Sequence, residues 1–355
     1  MTTTARLAAG GHRVQVVADL GGTTLRLGRV VDGVLDAGSV RRVPTDGIDR
    51  HPGLSPHTLQ DRVVAQLTYE LEAYLRSPHA ADANAVGVSF AGPITKDGTV
   101  LAGPTLWGGT AAPLPVGSLL ERRLPLPVVV ANDITAAAWR YAATEPEPFC
   151  LITISSGIGH KVFRHGEILV DDAGHGGEIG HWRVDAADDA VPCECGGRGH
   201  LGAIASGRGV LLAARRAAAA DPDGFTASAL AEPAGHRPAG ITNEALAAAL
   251  RADDPFATAV LNHCLLPLAQ AVNCVFTAIG IRRYLFIGGF AIAVGPRFIR
   301  LLGDQLNRLG CFGLGEQETR DMLALGAADD DHCLIGMAHM VDHALPVPAD
   351  AGADR

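Results

Sequence analysis

Asp19-Leu20-Gly21-Gly22-Thr23-Thr24-Leu25-Arg26-Leu27-Gly28 is the stretch that decides the fold. Apolar and polar residues alternate in Arg13–Asp19 before the glycines and in Thr24–Val30 after them, and again in Gly38–Val43. That period predicts consecutive antiparallel strands, with Gly21-Gly22 on the first hairpin. Adjacent glycines let a backbone approach a phosphate closely, and Thr23 and Thr24 add hydroxyl and N–H donors. Asp19, at the strand end, is placed to orient a magnesium-bound water. The same residue types also fit a plain Gly-Gly hairpin turn with no ligand.

Outward from this stretch the period changes. Leu59–Leu75 has helical spacing, Ala85–Phe90 is a buried strand ending at Gly92-Pro93, and Leu114–Arg123 is a short helix. The strand Val128–Ala131 leads into a helix from Ile134 to about Ala143. The pattern then begins again with strands at Phe149–Ile154, Lys161–Arg164 and Glu167–Val170. Helices follow at Arg208–Ala219, Asn243–Ala249 and Pro255–Ile279, then the strand Tyr284–Ile287, the helix Gly295–Leu309, a strand near Met322–Leu325 and a closing helix, Asp331–Ala344. Ala220–Gly224 and Gly310-Cys311 read as surface connections. Two successive units of strands followed by alternating helix and strand predict two α/β domains with a cleft between them. The expected boundaries are 13–131 and 132–330, with 331–344 packing back on the first domain and flexible tails at 1–12 and 347–355.

Two more glycine loops follow predicted strands. Ser155-Ser156-Gly157-Ile158-Gly159 lies between two strands, and Gly288-Gly289 follows Tyr284–Ile287, where missing side chains leave room for a base or ribose. Each is weak alone. One nucleotide bound by all three explains them together. Asn132-Asp133 ends a strand just before a helix. Asp133 there is either a helix cap or a general base that takes the proton of an attacking hydroxyl, with Asn132 gripping the neighbouring hydroxyl.

Composition narrows the partners. The 355 residues are 48% hydrophobic and 19% charged, ordinary for a folded soluble protein, and the net charge is −9. Phosphate-backbone binding leans on clustered Lys and Arg, so a nucleic-acid partner is not expected. Lysine occurs only at Lys96 and Lys161. Residues 1–12 have no apolar signal core, and Leu265–Ile281, with Gln270 and Asn273 in it, reads as a core helix and not a membrane span. Seven unevenly spaced cysteines do not suggest a disulfide framework. A reduced, cytoplasmic protein without a membrane partner is expected.

Five segments together resemble the ROK family, which contains sugar kinases and sugar-responsive repressors. They are Asp19-Leu-Gly-Gly-Thr-Thr24, Asn132-Asp133-Ile-Thr-Ala-Ala-Ala138, Gly177-Glu178-Ile-Gly180-His181, Cys193-Glu-Cys195-Gly-Gly-Arg-Gly-His200 and Ile287-Gly-Gly289. The resemblance spans about Val14 to Ala344. It implies an actin-like (ribonuclease H-like) ATPase fold, ATP with Mg2+, Asp133 as catalytic base, and Asn132, Glu178 and His181 on the acceptor's hydroxyls. By analogy it also implies a homodimer. A repressor would need a helix-turn-helix before the first strand, and the dozen residues before Arg13 are too few for one.

A metal site can be argued from spacing as well. His181, Cys193, Cys195 and His200 offer four ligands suited to a structural Zn2+, against the alternative of two buried thiols and two surface histidines. Family members usually have a third Cys where His200 stands. Three further departures concern the pocket and the loop. Gly202 replaces a Glu that grips hydroxyls at the anomeric end, leaving empty space, and Thr105 stands where Asn is frequent. His160-Lys161 replaces the usual glycines after the second phosphate loop and adds a cation near the phosphates. The expected activity is therefore ATP-dependent phosphorylation of a primary hydroxyl on a seven-carbon cyclitol or modified hexose. Glucose is the alternative acceptor, and a non-catalytic sugar-binding or sugar-responsive regulatory protein is the alternative of another class.

Overall fold

The computed structural model describes residues 12–108 and 111–345. The expected flexible tails lie outside the described residues, save His12. The chain divides into two compact units. One takes the chain up to Thr144, then Val170–His175 and the residues from Asp331; the other takes Glu145–Leu169 and Gly176–Asp330.

The first unit is built on β1 (Val14–Leu20), β2 (Thr24–Val31), β3 (Val34–Pro44), β4 (Ala85–Phe90) and β5 (Val128–Asn132) in the order β3-β2-β1-β4-β5. β1, β2 and β3 form an antiparallel meander, and β4 and β5 run parallel to β1. Every residue of β1 and β4 is buried, as central strands covered on both faces require. β3 starts at Val34 and not at Gly38, because Asp32-Gly33, both at positive φ, make the two-residue turn that extends the hairpin.

The helices of this unit are α1 (Pro56–Leu75), α2 (Val116–Glu121), α3 (Asp133–Trp139) and the chain's last helix, His332–Ala344. α1 starts at Ser55, whose side chain accepts the Thr58 N–H, with Pro56 in the first turn. Leu334, Met337, Ala338 and Val341 of the last helix pack with Val17, Val30, Ala85 and Ala136. α3 packs on this layer too, so the division falls after Thr144 and not at the expected 131/132.

The second unit holds β6 (Phe149–Ile154), β7 (Ile158–Arg164), β8 (Glu167–Ile168), β9 (Tyr284–Ile287) and β10 (Leu323–Leu325) in the order β10-β9-β6-β7-β8. From the opposite edge this repeats the first sheet: three antiparallel strands, then two parallel ones. The helices are α4 (Leu201–Ala205), α5 (Gly207–Ala220), α6 (Pro222–Thr226), α7 (Asn243–Arg251), α8 (Pro255–Ile279), α9 (Gly289–Val294), α10 (Pro296–Leu309) and α11 (Glu316–Asp321), so the last helix is α12.

α8 is the one described helix long and apolar enough to span a membrane. Leu261, Cys264, Leu265, Leu268, Ala269 and Val272 on one side of it belong to this unit's core, while Gln270 is exposed. The expected surface connections differ from the reading in two ways. Residues 222–226 form the one-turn α6, and Cys311 is buried, although Gly310 is exposed.

Candidate active site and metal centre

In the first unit the register of the sheet sets the first group of candidates. Asp19 lies opposite Arg26 on β2 and Ser89 on β4. Its Oδ2 accepts from Arg26 Nη2 at 2.7 Å, and its Oδ1 accepts from Ser89 Oγ at 2.8 Å. A carboxylate bound on both oxygens and only 9% exposed is fixed in direction, which suits the orienting of a magnesium-bound water. Arg26 and Ser89 were not singled out from the sequence; a cross-strand ion pair becomes visible only once the register is known.

Gly21 and Gly22 form the turn between β1 and β2, with the Gly21 N–H on Thr24 O and the Thr45 hydroxyl on Gly21 O. A Cβ on Gly22 would lie 2.8 Å from Thr105 O. The structure therefore brings Thr105 against this loop by its carbonyl and its side chain, whose Cβ would lie 3.0 Å from the same point, and Gly22 is needed for that approach.

Asn132 and Asp133 exchange parts of their expected roles. Asn132, not Asp133, caps α3: its Oδ1 accepts the N–H groups of Ile134 (3.0 Å) and Thr135 (3.1 Å). Its Nδ2 donates to Gly92 O at 2.9 Å and to Asp133 Oδ1 at 2.8 Å. Two acceptor and two donor positions exhaust a primary amide. Asn132 thus orients Asp133, with its amide engaged in these four bonds. Asp133 Oδ1 also takes the Ile134 N–H at 2.9 Å, which fixes the carboxylate at the mouth of the helix.

In the second unit the turn 155–157 closes with the Ser155 N–H on Gly157 O, and Ser155 O accepts the Gly207 N–H at 2.8 Å. The N-terminus of α5 therefore abuts the loop. Ser156 is exposed and a Cβ on Gly157 would meet nothing within 4 Å, so this turn presents open backbone, while Gly159 lies within β7. The third loop splits in two. Gly288, at φ +93°, is required because a Cβ would lie 2.7 Å from Ile154 O, whereas Gly289 opens α9 with free space at its Cβ position. Gly207 also belongs to this group, since a Cβ there would meet Phe290 at 2.9 Å; its sequence neighbours carried no signal beyond one more small residue.

Glu178 and His181 sit on the turn 177–181, and the His181 N–H bonds Glu178 O. The edge of β7 holds this turn. The His160 N–H donates to Gly177 O, and His160 Nδ1 accepts the Ile179 N–H at 3.2 Å, which requires the neutral Nε2–H tautomer. Burial, with the Lys161 charge beside it, pushes the His160 imidazole down to about 4 from its ordinary 6.5. The unfolded chain thus binds more protons between those values. Stability is full above pH 6.5 and falls through the window down to pH 4, by about 3 kcal/mol in all. Urea unfolding at pH 7.5 and 4.5 checks this: the advantage of wild type over His160→Gln is expected to shrink toward acid, and an advantage constant with pH refutes it. Lys161 is not a cation for the phosphates, as was expected; its ammonium is buried against Gly176 and Glu178.

His181, Cys193, Cys195 and His200 bring one ligating atom each to within 4.8 Å of one another. Cys193 Sγ lies 3.8 Å from His181 Nδ1, and Cys195 Sγ lies 3.3 Å from His200 Nδ1. Cys193 is half-buried and Cys195 exposed, which removes the alternative of two core thiols. A tight turn presents both sulfurs, with the Cys193 N–H on Gly197 O and the Gly196 N–H on Cys193 O. Gly199, at φ +67°, lets that turn lie on Asp185 O. Burial and the neighbouring Cys195 hold the Cys193 thiol above its usual range, an arrangement that a divalent cation reverses. Two thiols and two imidazoles at these separations fit a four-coordinate zinc.

Gly202 lies in α4 with a backbone conformation open to any residue. Its missing side chain is not simply a void, because a Cβ would stand 3.1 Å from Gly180 O and 3.6 Å from Ile158 N. Helix α4 has settled against the turn that carries Glu178.

The chain belongs to the ROK family, whose model matches residues 19–343. It is 66% identical over 333 residues to a C(7)-cyclitol 7-kinase of Streptomyces hygroscopicus subsp. jinggangensis, covering 94% of this chain and 95% of that one. A 2-epi-5-epi-valiolone 7-kinase of Actinoplanes sp. is 32% identical over 97% of each chain. Among solved structures, a ROK family glucokinase from Streptomyces griseus in complex with glucose and AMPPNP shares the fold at a TM-score of 0.70 and 23% identity, covering 93% of this chain and 99% of that one.

Proposed function

We propose that this ROK-family protein is an ATP-dependent kinase that phosphorylates the primary C7 hydroxyl of a seven-carbon cyclitol. The observation that carries the reading is the 66% identity, over 94% of the chain, to a C(7)-cyclitol 7-kinase. The hydroxyl oxygen attacks the γ-phosphorus of ATP, the bond from that phosphorus to the bridging oxygen breaks, and ADP leaves. The hydroxyl proton passes to the Asp133 carboxylate. Catalysis of this transfer is mostly positioning and charge stabilisation, and the chain's residues divide that work. Asn132 and the Ile134 N–H aim Asp133. In the first unit the backbone at Gly21 and Gly22, with Thr23 and Thr24, is open to phosphate oxygens, and Asp19 would orient water of a Mg2+; in the second unit Ser156 and Gly157 offer donors to phosphate and Gly289 leaves room for the nucleoside.

Glu178 and His181 bind acceptor hydroxyls. The Nδ1 of His181 faces Cys193, so Nε2 is its acceptor-facing atom. His181, Cys193, Cys195 and His200 would hold a structural zinc, which would stiffen that turn and take no part in the transfer. The protein acts as a cytoplasmic enzyme, with a homodimer as its assembly by family analogy.

A coupled ADP-release assay with valiolone, glucose, mannose and kanosamine tests the activity. Valiolone is expected to exceed glucose in kcat/KM by about 30-fold or more, because the carboxylate that would grip the anomeric end is absent and two buried hydrogen bonds are worth about 2–5 kcal/mol. Gly202→Glu is expected to move that ratio toward glucose. The backbone accepts Glu, but the Gly180 carbonyl must yield by a few tenths of an ångström, so only part of the factor returns. Efficient use of glucose by wild type would make the protein a glucokinase, and absence of turnover on every acceptor would leave the regulatory reading.

A further inference from the structure

Strand β7 pairs with β8 only at its far end, through Phe163 and Arg164. Along His160 and Lys161 its outer edge is instead followed by residues 176–179. Successive strand side chains leave opposite faces of a sheet, so His160 and Lys161 straddle that segment. His160 holds Gly177 O and the Ile179 N–H. Lys161 Nζ donates to Gly176 O at 2.9 Å and stands 3.7 Å from Glu178 Oε1.

The Lys161 residue is only 4% exposed, although the chain has just two lysines and buried ammonium groups are costly unless compensated. Gly177 is required by its φ of +77° and by His160 O, which would lie 2.6 Å from a Cβ there, and the missing side chain also leaves room for the Lys161 ammonium. Glu178 itself is half-exposed, with 51% of its side chain open. A flexible carboxylate at a surface turn does not hold a direction by itself, and one charged contact from a rigid strand limits where it points.

We propose that Lys161 is a positioning residue for acceptor recognition: its buried ammonium, with His160 clamping the peptide on the other side, aims the Glu178 carboxylate. This rests on Glu178 being an acceptor ligand, as read above. Both of these contacts of the ammonium are to the segment that carries Glu178, so its effect is expected on acceptor binding and not on ATP.

A double-mutant cycle decides the matter, with KM for valiolone, KM for ATP and kcat measured for wild type, Lys161→Met, Glu178→Gln and the pair. Lys161→Met is expected to raise KM for valiolone about tenfold while KM for ATP stays within about twofold. In the Glu178→Gln background it should add almost nothing, because residues that act through one another are not additive. If both single factors multiply in the pair, or if the two KM values rise together, Lys161 is a plain structural residue and the proposal fails. If Glu178→Gln leaves KM for valiolone unchanged, the assignment of Glu178 fails first and the proposal with it. Should Lys161→Met not fold, Lys161→Gln takes its place, keeping a donor for Gly176 O and losing only the charge.

Discussion

Asp133→Asn is expected to lower kcat by roughly 10²–10⁴-fold, the usual scale for loss of a general base, with KM for ATP little changed. The local geometry makes this a clean test. Asp133 Oδ1 accepts from Asn132 Nδ2 and from the Ile134 N–H. An amide oxygen at the same place accepts both bonds, so α3 keeps its start and Asn132 keeps its cap on Ile134 and Thr135. What disappears is the carboxylate's capacity to take a proton, the role proposed for it toward the C7 hydroxyl. A single-turnover measurement at saturating ATP separates the chemical step from product release. Turnover near the wild-type rate would remove Asp133 from the mechanism and return it to a bystander at a helix end.

Loss of the metal centre is the second large effect. One zinc per chain is expected on elemental analysis, and Cys193→Ala or Cys195→Ala is expected to lose the zinc and at least about 4 kcal/mol of stability together. The reason lies in the chain between His181 and His200. Among the described residues it carries no helix or strand after the short turn 179–181, only the bridges Arg183–His200 and Pro192–Arg198. Such a stretch has few buried side chains to hold it; Ala190 and Gly199 are the fully buried residues between Trp182 and His200. A metal held by the four ligand residues would supply the missing cross-link. Because His181 shares a turn with Glu178, acceptor kcat/KM should fall with the metal while ATP binding persists. Glu194, between the two cysteines, pairs with Arg208 of α5, so some disturbance of the phosphate turn through Gly207 is expected as a smaller secondary effect. A metal-free protein that melts and turns over like wild type would show that four convergent ligands here are incidental.

The parts of this protein that its sequence determined are those where one local rule dominates. Short, mostly apolar runs make Ala85–Phe90, Phe149–Ile154 and Tyr284–Ile287 buried strands with the ends read from the residues. Asp254-Pro255 at one end and Gly280 in the left-handed conformation at the other bound α8 at the residues expected. The metal tetrad was legible for the same reason, since donor chemistry and short spacing constrain each other. Most of the short helices were not legible: α4, α6, α9 and α11 have five or six residues each, too few turns for a 3.6-residue period to emerge, although the equally short α2 was read within Leu114–Arg123.

Tertiary structure alone decided the rest, because those features depend on what lies opposite. Asn132 became the cap only when Gly92 O and the start of α3 took up its whole amide. Gly202 looked like a void until Gly180 O was found against it. Lys161, one of two lysines in the chain, read as a surface cation near phosphates; burial against Gly176 and Glu178 arises because a loop, not a strand, covers the edge of β7. Spacing along a chain specifies local geometry, but hydrogen-bond capacity and the cost of burying a charge are settled by neighbours far away in sequence.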